Sequence, residues 1–306
     1  MLITNNKKIK INKRNDYIFK NLFKLMAIIS GGFIIVIVVF VTAKGIKPFL
    51  PGYEFERQSI FKFLTGLTYR QDTGTYGVGF IIINTLICSF LALIISFPFS
   101  VLTALFIVKI APKTLSKVMQ AIVELLASIP SIVYGLFAVG VINTLVRNLA
   151  DSLNLSTFGG SSFLSVMLLL AIMIFPTLTS LSITAIAAVD SDLEQASLAL
   201  GASKTQTNFK VVLTAAKSGI FAGAILGLGR AFGEATAVSL VAGNKMFGPT
   251  FDPLDITRTL TSTMLAGLKE TTGLDYDIRF SIGIILMIVI FGSNLLLNKI
   301  KDRIGS

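Results

Sequence analysis

The sequence predicts an all-α integral membrane protein with about six transmembrane helices, and three observations carry that prediction. Of 306 residues, 53% are hydrophobic and only 14% are charged, a balance that would leave a soluble chain too little polar surface. Six apolar runs are long enough to cross a bilayer: 22–43, 78–108, 121–147, 163–188, 218–243 and 278–298. Lysine and arginine are distributed roughly two to one in favour of the segments that face the cytoplasm when the N-terminus does.

The first run follows Lys7, Lys8, Lys10, Lys13, Arg14 and Lys20. It is too long for a signal peptide and no small-x-small cleavage site follows it, so an uncleaved first helix is expected behind a basic cytoplasmic tail, residues 1–21. The second run exceeds a simple span, and it is expected to tilt, break near Pro98 or extend beyond the membrane. Pro130 and Pro176 are expected to kink the third and fourth helices. The chain reads as one membrane domain, 22–298, followed by a short cytoplasmic tail, 299–306, with both termini on the cytoplasmic side. Its net charge of +11 is then a topology signal and an attraction to anionic headgroups, with no soluble basic domain to bind nucleic acid.

Cys88 is the sole cysteine and histidine is absent. No intrachain disulfide can form, the usual metal and nucleophile constellations are incomplete, and Cys88 reads as a small buried apolar residue. The segments 44–77 and 244–277 are long, rich in proline and glycine, and expected outside, where they offer a docking surface. Within the first, Phe55, Ile60, Phe61, Phe63 and Leu64 fit a short interfacial helix or half-buried loop residues.

The fifth run contains an arginine and a glutamate, Arg230 and Glu234. It holds nine Leu, Ile, Phe or Val residues, each returning about 0.3–0.6 kcal/mol at a helix centre, against about 2.5–3.5 kcal/mol for one charged residue there. The pair cancels the gain of the whole run, so both groups are expected to face a bundle interior or an aqueous path. Arg230 is the thirteenth of the 26 residues from Ser218 to Gly243, near the midplane where an alternating-access site belongs. A guanidinium presents a planar fork of donors that matches the oxygens of an oxyanion. Four residues on, Glu234 is expected on the same helix face, holding Arg230 while the path is empty or accepting a hydrogen bond from a proton-bearing oxygen of the solute. The alternative is a structural ion pair that fixes helix register; in either case losing one partner is expected to cost more than losing both.

Weaker candidates surround this pair. Glu124 is expected near the cytoplasmic edge of the third span, as a snorkelling or capping residue or a gate contact. Ser128, Ser131, Thr236 and Ser239 offer hydroxyls to a passing oxyanion, although such groups more often bond to their own backbone. Gly219, Gly223 and Gly227, with Gly229 and Gly233, recur every four residues and present small surfaces for close helix approach.

The cytoplasmic segment 189–217 opens with Asp190, Ser191 and Asp192, good capping chemistry, and runs through helix formers to a stop at Gly201. A second short helix is expected from Ser203 or Lys204. Here Gln195, Ala196, Ser197 and Gly201, followed at the right spacing by Val211, Leu213 and Thr214, resemble the coupling motif of the membrane subunits of bacterial ATP-binding-cassette importers. The sequence departs from that motif in two places, with Gln195 where the family has glutamate and Thr214 where it has proline; Glu194 is a candidate replacement for the missing charge. The segments ELLASIPSIVYGLF (124–137) and GLGRAFGEATAVSLVAGN (227–244) further resemble the phosphate importers' permeases, the second being more like the PstC-type subunit than the PstA-type.

The resemblance implies a type I ABC importer permease fold and a function in carrying inorganic phosphate across the membrane as half of a transmembrane pathway. It implies a PstA-type sister permease as heterodimer partner, a dimer of ATPase subunits docked at the coupling loop, an extracytoplasmic phosphate-binding protein and a link to a phosphate-sensing kinase. No phosphate loop of the form GxxxxGK[ST] occurs. ATP and Mg would therefore be used by the partner ATPase, with no cofactor or metal bound by this chain and no bond chemistry performed by it. The rival readings are a permease for another oxyanion (phosphonate, sulfate or molybdate) and a stand-alone channel or proton-coupled carrier.

Overall fold

In the computed structural model the backbone is described for residues 2–305 and the side chains for residues 15–303. The side chains of Lys7, Lys8, Lys10, Lys13 and Arg14 lie outside the described residues. Among the described residues six helical segments are long and apolar enough to cross a membrane. They are the stretch 15–49, made of α1 (Leu2–Ile46) from Asn15 and the tight turn Lys47–Phe49 after it, α3 (Gly79–Leu105) with its extension to Ile110, the rod 131–152, α7 (Phe163–Ala187), the rod 204–233, and most of α13 (Gly273–Gly305). Between them lie α2 (Ile60–Thr65), a hairpin of β1 (Tyr69–Arg70) and β2 (Thr75–Tyr76), and α4 (Lys113–Ser128). The rest of the chain adds α5 (Ser131–Phe137), α6 (Asn143–Ser152), α8 (Ser191–Ala199), α9 (Lys204–Gln206), α10 (Leu213–Gly233), α11 (Thr236–Val241) and α12 (Leu260–Leu265).

The third crossing differs from the sequence expectation of a kinked helix over 121–147. Proline has no N–H and disfavours helix in the residue before it. Ile129 and Pro130 are accordingly extended, with ψ of 128° and 140°, and the helix divides there. On one side α4 is amphipathic, with Lys113, Lys117, Gln120 and Glu124 among its apolar residues. On the other, α5, a wide-turned stretch over Ala138–Ile142 and α6 form the actual crossing. The Tyr134 hydroxyl donates to the Leu126 carbonyl at 2.8 Å and ties the two sides together. By contrast, Pro98 and Pro176 are accommodated inside α3 and α7.

The centre of the bundle is built by α3, α7 and α10. Cys88 and Ala92 of α3 meet Leu169, Leu170, Met173, Ile174 and Leu178 of α7 and Ala224 of α10 in the main core. The glycine stripe works here. A methyl group at Gly219, Gly223 or Gly227 would meet Ala185, Leu181 or Ile174 at 2.6, 3.1 and 2.8 Å, so these glycines let α10 lie directly on α7. Gly229 and Gly233 face open space and take no part in that contact.

Two smaller cores close the ends. At the coupling-loop end Val101, Ala104 and Leu105 pack with Ile186, Val212, Ala216 and Ile220. At the opposite end Phe63, Tyr69, Tyr76, Phe80 and Ile81 pack with Leu260, Ile278 and Ile282. The expected interfacial helix over the Phe55–Leu64 region is α2, which buries Phe63 and leaves Phe61 outside. Along α1, Phe33, Ile34, Ile35 and Val36 are exposed, and this helix packs on α13, with Phe40 edge-on to the Phe280 ring at 5.7 Å.

Replacing Gly227 by valine should overpack the α10–α7 contact and destabilise the purified chain by about 1–3 kcal/mol. Gly31→Ala, at a site with open space around it, should be neutral or slightly stabilising. Denaturant titration in detergent measures both, and equal behaviour of the two variants would contradict the packing described.

Candidate translocation site at a broken helix

The fifth span is discontinuous at its most charged point. It was expected to run as one helix over 218–243, but α10 ends at Gly233; Glu234 is extended (φ −75°, ψ 110°), and a new short helix starts at Thr236. Arg230 and Glu234 therefore do not share a helix face, and no ion pair joins them. Arg230 lies in the last turn of α10, where unpaired carbonyls favour a cation. Its Nη1 donates to Thr177 Oγ1 of α7 at 2.6 Å. Among the described residues no carboxylate lies within ion-pairing distance of it. Glu234 precedes α11, and its Oε1 accepts the Ala237 N–H at 2.9 Å, capping that helix. The Glu234 carbonyl, freed by the break, accepts the Thr261 hydroxyl of α12 at 2.7 Å.

The sequence thus located the two charges but misread their relation. Each answers one end of an interrupted helix, the cation at the carbonyl end and the anion at the N–H end. The expectation that losing either one alone is worse than losing both rested on an ion pair, and it lapses with it. Thr177 and Thr261 were not foreseen, because they come from the fourth span and from the loop before the sixth, and nothing in the linear order ties them to Arg230 and Glu234.

Beside the break, Gly233, Ala235, Thr261, Met264, Tyr276 and Arg279 line an open, mainly apolar cleft of about 620 Å³. The weaker candidates are dispersed. Ser128 donates to Leu125 and Ser239 to Thr236, each bonding its own backbone. Ser131 and Thr236 are half-buried, and Glu124 is exposed on α4, outside the crossing helix in which it was expected.

At the other end of α10 the coupling loop has the anticipated helix–glycine–helix form. Asp190 caps α8 by accepting the Asp192 N–H, and Gly201 turns the chain with φ +86°, a conformation that glycine adopts at no steric cost. Ser203 and Gln206 cap each other reciprocally at the start of α9. From Lys204 the helix continues through wide turns at Thr207–Val212 into α10, so Thr214 sits within an unbroken rod. Gln195, Ala196 and Thr214 are exposed, Ser197 bonds Thr207 at 2.9 Å, and Val211 and Leu213 are half-buried. Glu194 pairs with Lys109 from the end of the second span, so this carboxylate is engaged within the chain.

Residues 96–304 match the family of binding-protein-dependent transport system inner membrane components. The chain belongs to this family. Among relatives of this permease, a probable ABC transporter permease of Bacillus subtilis, YqgH, is 33% identical over 88% of the chain and 85% of its own length. The phosphate transport system permease PstC of Pasteurella multocida is 31% identical, covering 80% of the chain and 82% of that protein. PstC of Xylella fastidiosa is 27% identical over 96% of the chain and 94% of its own. The fold is shared with the bacterial alginate ABC transporter solved with its alginate-bound periplasmic protein, at a TM-score of 0.63 and 19% identity over 96% of each chain. It is also shared with the inward-facing MetNI methionine transporter, at a TM-score of 0.55 and 19% identity over 74% of this chain and 94% of that one. The permease is thus a multi-pass membrane subunit of an ABC importer with a type I fold.

Because glutamine keeps an acceptor oxygen, Glu234→Gln should preserve the cap on α11, whereas Glu234→Ala should cost about 1 kcal/mol. Thermal unfolding of the two purified variants should separate them; if alanine melts with wild type, the carboxylate is not holding the break.

Proposed function

We propose that this permease is the PstC-type subunit of an ATP-driven importer of inorganic phosphate. It would pair with a PstA-type sister chain to enclose the pathway and receive phosphate from an extracytoplasmic binding protein. Two ATPase subunits would act on the α8–Gly201–α9 element, with both termini of the permease on that cytoplasmic side. The observation that carries this reading is Arg230: a half-buried guanidinium at the end of a membrane helix, held by a neutral hydroxyl and by no carboxylate among the described residues. Such a group retains most of its attraction for an incoming anion, and its fork fits phosphate oxygens. The PstC relatives support phosphate as that anion.

Glu234 supplies the selectivity in this reading. With Oε1 engaged by the Ala237 N–H, its other oxygen is available to accept the proton of hydrogen phosphate, which sulfate lacks at neutral pH. Beneath, the unbroken rod from Lys204 to Gly233 would carry ATPase movement directly to Arg230. Leu193, Leu198 and Leu200, the last of them 90% exposed, offer apolar contact to a cleft on the ATPase. A permease for another oxyanion, such as phosphonate, sulfate or molybdate, is the second reading, favoured by the substrate-free name of the 33% identical relative.

In proteoliposomes holding the full complex and binding protein, Arg230→Ala should lower phosphate uptake at least 10–100-fold, the scale of a lost charge-assisted hydrogen bond, without loss of assembly. Normal uptake by that variant would remove the basis of the reading. Full competition by sulfate would move the substrate to the wider oxyanion class, and transport by the purified chain without nucleotide would favour a stand-alone carrier. Gly201→Val, strained at φ +86°, should reduce substrate-stimulated ATP hydrolysis severalfold while phosphate still reaches Arg230; unchanged stimulation would argue against this loop as the coupling element.

A further inference from the structure

At the end of the molecule opposite the coupling loop, three hydrogen-bond donors are buried without an acceptor: Tyr69 Oη, Arg258 Nε and Arg279 Nη2. They come from the first hairpin, the strand-like segment before α12 and the start of α13, yet they are neighbours. The Arg258 guanidinium lies over the Tyr69 ring, 4.9 Å from its centroid. Burial pushes the Tyr69 hydroxyl up to about 12 in pKa, with Arg258 and Arg279 acting against that rise. Burial also lowers the Arg258 pKa, and the positive charge of Arg279 adds to the effect. Only 2%, 8% and 2% of Tyr69, Arg258 and Arg279 remain exposed.

The local backbone holds this arrangement in place. Thr257 N–H donates to Ala242 at 2.7 Å and the Thr257 carbonyl accepts from Lys245, while Thr259 caps α12, so Arg258 stands between two anchored residues. The Tyr69 N–H donates to Met246 at 2.7 Å and fixes the hairpin against the same segment. Arg279 gives Nε to the Asp275 carbonyl and Nη1 to the Thr263 and Met264 carbonyls at the end of α12, leaving Nη2 unused. Arg258 makes no hydrogen bond and no ion pair with any described residue. Of the acids near this corner, Asp275 accepts the Tyr76 hydroxyl on one carboxylate oxygen, and Glu270 flanks Gly267 together with Arg279 Nη2.

Buried donors that lack acceptors are costly unless something acceptor-rich completes them. Asp275 and Glu270 lie near this corner, but neither accepts a hydrogen bond from Tyr69 Oη, Arg258 Nε or Arg279 Nη2, whereas an acceptor-only anion can take all three. We infer that Arg258, Arg279 and Tyr69 form a second oxyanion site, distinct from Arg230 but bordering the cleft at the break through Arg279, that takes a phosphoryl group at the end of the permease where substrate would enter. That the occupant is the transported anion rests on the phosphate reading above; the need for an acceptor-only anion does not. The phosphoryl group can belong to free phosphate or to a lipid headgroup, and the bound chemistry is the same.

Equilibrium binding of radiolabelled orthophosphate to the intact permease–ATPase complex in zwitterionic-lipid nanodiscs, without nucleotide or binding protein, tests the site. Arg258→Gln should lose one bound phosphate per complex relative to wild type, Arg230→Gln should lose a different one, and the double variant both. Tyr69→Phe, which keeps the stack and removes only the hydroxyl, should weaken the outer site severalfold with an unchanged melting temperature. If a headgroup is the occupant, anionic lipid will displace label from wild type and Arg258→Gln will retain less phospholipid phosphorus on purification. Unchanged phosphate stoichiometry and unchanged lipid retention in both Arg258→Gln and Tyr69→Phe would overturn the proposal. Normal uptake alongside that result would leave the phosphate reading standing; loss of label from wild type at every site would count against that reading as well.

Discussion

An interrupted helix inside a membrane must find partners for the backbone groups it frees, and that requirement organises the centre of this permease. The break between Gly233 and Thr236 leaves an N–H at Ala237 and a carbonyl at Glu234, and the chain answers them with the Glu234 carboxylate and the Thr261 hydroxyl. Arg230 sits on the carbonyl side and reaches across to Thr177. Charges that look wasteful in the linear sequence are, in space, partly the terms that make the discontinuity tolerable. The same discontinuity leaves a guanidinium and a carboxylate oxygen with capacity for a solute.

The two faces of α10 have different surroundings. One face carries Gly219, Gly223 and Gly227 and lies against α7 closely enough that no side chain fits between. The other presents Gly229 and Gly233 to open space, beside the apolar cleft at the break. α9, the wide turns at Thr207–Val212 and α10 follow one another without a break, and the Lys109–Glu194 ion pair ties the loop to the end of the second span as well.

Most of the architecture was legible because length and hydropathy alone specify a membrane crossing. The second and fourth spans fell within two residues of the helices 79–110 and 163–187 for that reason, while the sixth, read as 278–298, is the inner part of a longer helix over 273–303. The third failed at Pro130, where apolar character continues on both sides and only the missing N–H announces the division. The fifth failed at Glu234, since a four-residue spacing implies a shared face only while the helix persists; glycine followed by an acidic residue, a stop and then a cap, was the available signal. The coupling loop was readable because capping residues and a left-handed glycine act locally. Arg258 and Arg279 escaped notice because burial of a cation depends on segments distant in sequence, here a hairpin beginning at Tyr69, and no periodicity reports it.

The first helix shows a different economy. Its apolar window buries nothing inside the chain, and its attachment is a seam along α13, tightest where Gly45 meets the backbone at Phe280 and its carbonyl accepts the Ser281 hydroxyl at 2.7 Å. A segment fastened along one edge contributes little to the interior it borders. In a bilayer the exposed apolar face of α1 is left to lipid tails or to another membrane chain, so this helix ties the permease to its surroundings more than to its own interior.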